Sequence, residues 1–297
     1  MKIELDLTRT PFNLDHTLSC GQTFRWQKRG NSWNGVVHGT VVKTHQTKGN
    51  LEFVASSKDV DTDFLERYFR LEDDLLNIYS KIAKDKRIRE AINEFKGLRL
   101  IRQEPWECLI SFLCATYKNV PAIKQMIFDI CRQFGEAVEF EGETFYTFPE
   151  PFILAKANRQ QLRRCGLGFR TVHVLNTSKL INSGRYDLES LKTRPYEVAK
   201  KELMSLPGVG PKVADCVLLF SLDKLEAFPI DVWMKRVILR YYSEHFEHKF
   251  VDKVESRNGL TPREYQIIYG FGRRYFGDYA GYAQEYLYHH ERCLGRS

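Results

Sequence analysis

Residues 206–231 constrain this 297-residue chain more than any other stretch: L-P-G-V-G-P-K-V-A-D-C, then V-L-L-F-S-L-D-K-L-E-A-F-P-I-D. One Pro and two Gly within Leu206 to Gly210 exclude a helix there. Both flanks permit one. Tyr196 to Ser205 puts Val198, Ala199 and Leu203 on a shared face, and Pro211 suits a first helical position before an unbroken run from Lys212 to Leu222. The spacing predicts a helix-hairpin-helix. Its glycines let the backbone approach a ligand closely, and the second helix begins with free N–H groups at its positive dipole end. Gly208, Val209 and Gly210 therefore form an anion site suited to a phosphate.

Lys212 opens that second helix, where the macrodipole disfavours a cation, and a neutral amine is a nucleophile. Asp231 follows F-P-I and precedes the helical run V-W-M-K-R-V-I-L-R, so it is placed to cap a third helix. Helix amides and the dipole favour its ionised form. A nucleophilic amine plus a fixed carboxylate is a minimal kit for attack on a cation-like carbon. Each residue also has an ordinary reading: Lys212 as a solvated lysine or phosphate contact, Asp231 as a simple N-cap. The combination at this spacing favours the chemical reading.

Hydrophobic residues make up 43% of the chain and aromatics 13%, ample for a packed core. The net charge of +7 permits a nucleic-acid partner without requiring one. No apolar run approaches a membrane span and M-K-I-E-L-D is no signal peptide, so the expectation is an intracellular protein. Seven scattered cysteines without a C-x-x-C suit reduced thiols. His289 and His290 are adjacent and lack the i, i+4 spacing of a metal pair, which speaks against metal-dependent hydrolysis.

In order along the chain, residues 1–56 read as β structure, with Trp33 to Val42 and Leu51 to Ala55 rich in β-branched and aromatic residues between turns. From Asp61 the apolar spacing becomes helical. Pro105 to Cys114, Ile123 to Phe134, Leu154 to Cys165, Val172 to Ile181, Val232 to Tyr242, Pro262 to Phe276 and Tyr282 to Arg292 read as further helices, and residues 135–152 as a loop. The fold class is α+β: an N-terminal antiparallel sheet domain with flanking helices over 1–97, then a mostly α-helical domain over 98–297 containing the hairpin.

The run L-P-G-V-G-P-K-V-A-D-C to F-P-I-D-V resembles the helix-hairpin-helix glycosylase superfamily and, within it, the 8-oxoguanine DNA glycosylase/AP lyase family. S-C-G-Q-T-F-R-W near the N-terminus, C-G-L-G-F-R at 165–170 and Y-A-G-Y-A-Q near the C-terminus agree in the same order. The resemblance spans nearly the whole chain. It implies an enzyme that flips 8-oxoguanine from duplex DNA, cleaves the N-glycosidic bond through a Lys212 Schiff base and nicks the strand by β-elimination, with Asp231 steadying the cation-like sugar. For base recognition it implies a Gly21 carbonyl facing N7–H, the Pro229 carbonyl and Gln284 on the Watson–Crick edge, and Cys216 and Tyr288 on the two ring faces. Cys216 would also form a favourable dipole with Lys212.

On the DNA side it implies phosphate contacts from Gly208, Val209 and Gly210, a wedge at Phe169, an opposite-base arginine at Arg170, and a structural cation on the carbonyls of Met204, Leu206 and Val209. Four positions depart from the family pattern or adjoin such a departure. In A-T-Y-K-N-V-P-A, Tyr117 stands where an Asn fills the vacated gap, with Asn119 nearby, and Ala122 stands where a second opposite-base Arg is usual; Trp233 replaces a common His. No catalytic cofactor and no iron–sulfur cluster are implied, since Cys293 stands alone near the end. The expected partner is double-stranded DNA containing oxidised guanine, with no membrane, and the chemistry needs only a monomer. Two alternatives remain. A monofunctional alkylpurine glycosylase would keep Asp231 without needing Lys212 or Gly21, and a non-catalytic helix-hairpin-helix DNA-binding module would leave Asp231, Gly21 and Gln284 unexplained.

Overall fold

The computed structural model describes residues 2–8 and 10–295. Its first part is a five-stranded antiparallel sheet built from β1 (Lys2–Asp6), β2 (Gln27–Arg29), β3 (Ser32–Val37), β4 (Thr40–Gln46) and β5 (Asn50–Ala55), in the order β1-β5-β4-β3-β2. Val37 pairs with Thr40 across a two-residue turn at His38 and Gly39, which splits the long β-branched run into a hairpin. One segment read as β is helical. In α1 (Leu14–Ser19) the side chain of Asn13 accepts the His16 amide, and Leu14, Thr17 and Leu18 share the buried face. A cap followed by i, i+3, i+4 burial outweighs β propensity over six residues.

Four helices lead out of the sheet: α2 (Thr62–Tyr68), α3 (Leu75–Ile82), α4 (Lys86–Glu94) and α5 (Pro105–Cys114), followed by α6 (Val120–Phe134). Residues 135–152, expected as a loop, contain a hairpin of β6 (Ala137–Phe140) and β7 (Glu143–Tyr146). Its turn residues gave the loop reading; the alternating V-E-F and T-F-Y between them make the strands. Ion pairs Arg29–Glu143 and Lys43–Glu141 fasten this hairpin to the large sheet. The rest is helical: α7 (Pro151–Lys156), α8 (Arg159–Arg164), α9 (Arg170–Asn182), α10 (Tyr196–Met204), α11 (Pro211–Ser221), α12 (Val232–Tyr241), α13 (His248–Glu255), α14 (Pro262–Phe276) and α15 (Ala280–Leu294).

Packing does not divide the chain at residue 97. Two apolar cores form. The smaller joins the sheet, α1, α2 and Ile101; the larger takes in α3 and α4, together with Cys20 and Phe24 from the loop after α1. That loop therefore reaches from the sheet layer into the helical core, which brings Gly21 to the hairpin. Among the described residues, no helix is long and apolar enough to cross a membrane.

Candidate active site

The helix-hairpin-helix is α10, the turn at Ser205–Gly210, and α11. Gly208 has φ +81°, and a Cβ there would stand 2.5 Å from the His173 ring. Only glycine lets the turn lie this close to α9. The Val209 amide donates to the Leu206 carbonyl at 3.1 Å, and Thr177 donates to the Pro207 carbonyl at 3.0 Å. Gly210 caps α11 without a side-chain bond, which leaves amides of the first turn available to an anion.

Lys212 projects from this first turn, and its Nζ lies 4.9 Å from the centre of the Phe112 ring. Phe112 in turn stacks on Phe220 and meets Phe24 edge-on. The amine thus emerges against an apolar wall contributed by α5. Asp231 caps α12, accepting the amides of Trp233 at 3.0 Å and Met234 at 2.9 Å. Burial pushes its carboxyl above the usual carboxylate value, against the Met234 amide, the Lys212 charge and the Trp233 amide, which pull it down. This corrects the expectation of an ionised form simply favoured by its cap. Taking the group out of water outweighs the cap, and Asp231 is poised to hold a proton more readily than a surface aspartate.

Cys216, one turn beyond Lys212, is buried, and burial pushes its thiol up to about 12 even though Lys212 pulls it down. Any dipole it forms with Lys212 is that of a neutral thiol, not of a thiolate–ammonium pair. Opposite stands α15, where Gln284 and Tyr288 lie one turn apart. Gln284 is 4% exposed and its Oε1 has no hydrogen-bond partner. Gly21 has φ +108°, and a Cβ there would collide with Nη1 of Arg292 and approach the Tyr288 hydroxyl to 3.3 Å. Glu285, also buried, has an unpartnered Oε1 and is raised to about 7 by burial, with the Cys20 thiol and Arg292 opposing. Its charge and that of Asp231 both act on Cys216. Lys212, Cys216, Asp231, Glu285 and Tyr288 thus lie near enough to act on one another's charges, Gly21 meets Tyr288 and Arg292, and Pro229 lies two residues before Asp231.

Pro229 to Asp231 is held from behind by a network that sequence reading missed. Asp215, fully buried on α11, accepts Lys200 Nζ at 2.9 Å, Tyr265 OH at 2.7 Å and Tyr196 OH. Tyr265 OH in turn accepts the Ile230 amide at 3.2 Å. A lone Asp in an otherwise apolar helix was the available signal, because a buried carboxylate needs such donors.

The side that would face DNA carries two projecting rings. Tyr117 is 92% exposed with φ +54°, and Phe169 is 59% exposed. Arg170 joins them. Its guanidinium donates to the Thr116 and Leu167 carbonyls and lies 4.4 Å from the centre of the Phe169 ring. At 3% exposure it braces two loops. Asn119 caps α6, its side chain accepting the Ala122 amide at 3.0 Å, and is exposed. Trp233 packs on Gly295 under Arg236, so its indole closes the end of α15. No group of three or more His, Cys, Asp or Glu side chains that could hold a metal occurs among the described residues.

Known proteins share this arrangement. Residues 4–109 match the 8-oxoguanine DNA glycosylase N-terminal domain family, and residues 199–220 the helix-hairpin-helix motif. A probable N-glycosylase/DNA lyase of Methanothermobacter thermautotrophicus is 33% identical over 251 residues, covering 78% of this chain and 75% of the relative. N-glycosylase/DNA lyase OGG1 of Arabidopsis thaliana is 31% identical over 96% of this chain and 78% of its own length. The Clostridium acetobutylicum 8-oxoguanine glycosylase/lyase, solved with double-stranded DNA containing cytosine opposite 8-oxoguanine, superposes with a TM-score of 0.85 at 28% identity, over 96% of this chain and 93% of that one. With its sheet, hairpin and pocket residues in this order, the chain belongs to the 8-oxoguanine DNA glycosylase family of N-glycosylase/DNA lyases.

Proposed function

We propose that this chain excises 8-oxoguanine from duplex DNA and nicks the resulting abasic site. The observation that supports this reading is an amine at the first turn of α11, against an apolar wall and near enough to the capping carboxyl of Asp231 for its charge to act on it. The Lys212 amine attacks the anomeric carbon as the N-glycosidic bond breaks and its electron pair leaves with the base. The sugar ring then opens: the C1′–O4′ bond breaks, O4′ takes up a proton and the amine nitrogen, having lost one, is left as an iminium that acidifies the C2′–H, whose loss expels the 3′ phosphate. Asp231, as the carboxylate, steadies the positive sugar and then takes up the proton that the Lys212 nitrogen releases. The acceptors at Gln284 Oε1 and the Pro229 carbonyl suit the N–H donors on the guanine edge. Gly21 offers a carbonyl to N7–H, which unoxidised guanine lacks. Cys216 and Tyr288 close on the two ring faces.

Tyr117 and Phe169 enter the helix, where inserted rings recover part of the few kcal/mol lost per unstacked step. A structural cation at the Met204, Leu206 and Val209 carbonyls fits the hairpin, since the Leu206 carbonyl, already accepting the Val209 amide, keeps one lone pair. No cofactor enters the chemistry, and a monomer suffices. Preference for cytosine opposite the lesion is relaxed, because Ala122 has no donor where a second arginine is usual and only Arg170 remains. Single-turnover base release and strand nicking, measured with C, A, G and T opposite the lesion, test this directly. Rates within about tenfold of one another, with release and nicking from the same protein, are expected. Release without nicking would favour the monofunctional alternative, and a preference for C of a thousandfold would contradict the relaxed reading.

A further inference from the structure

Arg292 was not among the residues singled out by sequence, and nothing in the chemistry above uses it. It is 5% exposed, on α15, and continues the face that carries Gln284 and Tyr288 at intervals of four residues. Its Nη2 donates to the Ser19 carbonyl at 2.6 Å and lies 3.4 Å from His289 Nδ1; its Nη1 donates to the Tyr288 hydroxyl at 3.1 Å. A guanidinium carries five N–H donors, so Nη1 keeps a second one. Nε is shielded from solvent and has no partner. Nη1 occupies the space where a Gly21 side chain would begin. Glu285 and Asp231 offset part of its charge, but its spare N–H donors beside Gly21 remain without an acceptor.

The oxidised purine has the matching edge. N7–H and C8=O lie side by side, a donor next to an acceptor. The Gly21 carbonyl takes the donor, and an N–H of Arg292 is positioned to meet the oxygen. Guanine presents the reverse, a lone pair at N7 and a hydrogen at C8, so both contacts turn unfavourable together. Resting on the glycosylase reading above, we propose that Arg292 is a specificity-determining residue that donates a hydrogen bond to the C8 oxygen of the flipped base. The site reads the lesion as an amide-like pair of atoms, and not through N7–H alone.

The test compares 8-oxoguanine with 8-thioguanine, which keeps N7–H but replaces the oxygen by a poor acceptor. Single-turnover release of both bases is measured with the wild-type protein and with Arg292→Leu. Intrinsic leaving-group differences cancel when the oxo-to-thio ratio of one protein is divided by that of the other. The expected result is a ratio lowered roughly tenfold or more in Arg292→Leu, as suits loss of one charge-assisted bond. Should Arg292→Leu not fold, Arg292→Lys is read in the same way, with a ratio between that of the wild type and that expected for Leu. Equal loss on both bases, or an unchanged ratio, would make Arg292 a mere brace of the Ser19–Gly21 loop and overturn the proposal. Failure of the wild type to release 8-oxoguanine at all would remove the glycosylase reading itself.

Discussion

At the scale of single residues, the pocket is defined by groups whose polar atoms are buried and unmatched. Gln284 Oε1, Glu285 Oε1 and Arg292 Nε all lack partners on one helix, while buried polar atoms elsewhere are largely paired. Glu285 makes this measurable through pH. Burial raises its carboxyl from 4.5 to about 7. Below pH 4.5 folded and unfolded chains both hold the proton and the group is neutral to stability. As pH rises towards 7 the unfolded chain releases its proton first, so folding is penalised by up to about 3 kcal/mol, and the penalty stays constant above that. Glu285→Gln removes it. Urea unfolding at pH 4.5 and pH 8 should show the variant gaining on the wild type between those values; parallel pH dependence in the two proteins would sink the assignment.

Single residues also show the reach and limit of sequence reading. Lys212 and Asp231 were legible because a helix start and a helix cap are local events written within a few positions. Arg292 was not, because it meets Ser19 across 273 positions of sequence and nothing near it marks the contact. The upward shift of the Asp231 carboxyl escaped the sequence for a related reason: its cap is local, while its burial comes from the assembled fold.

Between elements, catalytic geometry depends on how α11 is fixed relative to the Pro229–Asp231 segment. Asp215 and Tyr265 make that link, from α11 through α14 to the Ile230 amide. Tyr265→Phe should lose about 1–3 kcal/mol of stability, since it strands a buried amide and removes a donor from a buried carboxylate. The excision rate should fall while DNA affinity holds, because the altered bond lies behind the chemistry and not on the phosphate surface. Unchanged single-turnover rates would show that the network serves stability alone.

The α5–α6 connection makes the opposite trade. Tyr117 holds a left-handed backbone although exposed and non-glycine, a conformation costing about 1 kcal/mol. Tyr117→Gly should therefore be as stable as the wild type or more so, yet slower on duplex substrate and nearly unimpaired on a lesion in an unpaired bubble. A variant that excises equally from both would rule out the wedge.

Over the whole molecule, the α+β order and the run of helices were readable because periodicity changes from two to 3.6 near Asp61. The division at residue 97 was not, because α3 and α4 follow the sheet in sequence but bury their apolar faces in the helical core. The strands at residues 137–146 were hidden for a similar reason, since ion pairs to the distant sheet help hold them. The consequence for function is that the loop carrying Gly21 crosses from one core to the other. On the reading proposed above, lesion recognition then falls to the N-terminal part of the chain and bond cleavage to the hairpin.

The central claim is that Lys212 is the nucleophile, and borohydride trapping on a duplex with one 8-oxoguanine tests it most directly. Reduction should fix a covalent protein–DNA adduct with the wild type and none with Lys212→Gln. An adduct persisting in Lys212→Gln, or base release by the wild type with no adduct at all, would contradict the account.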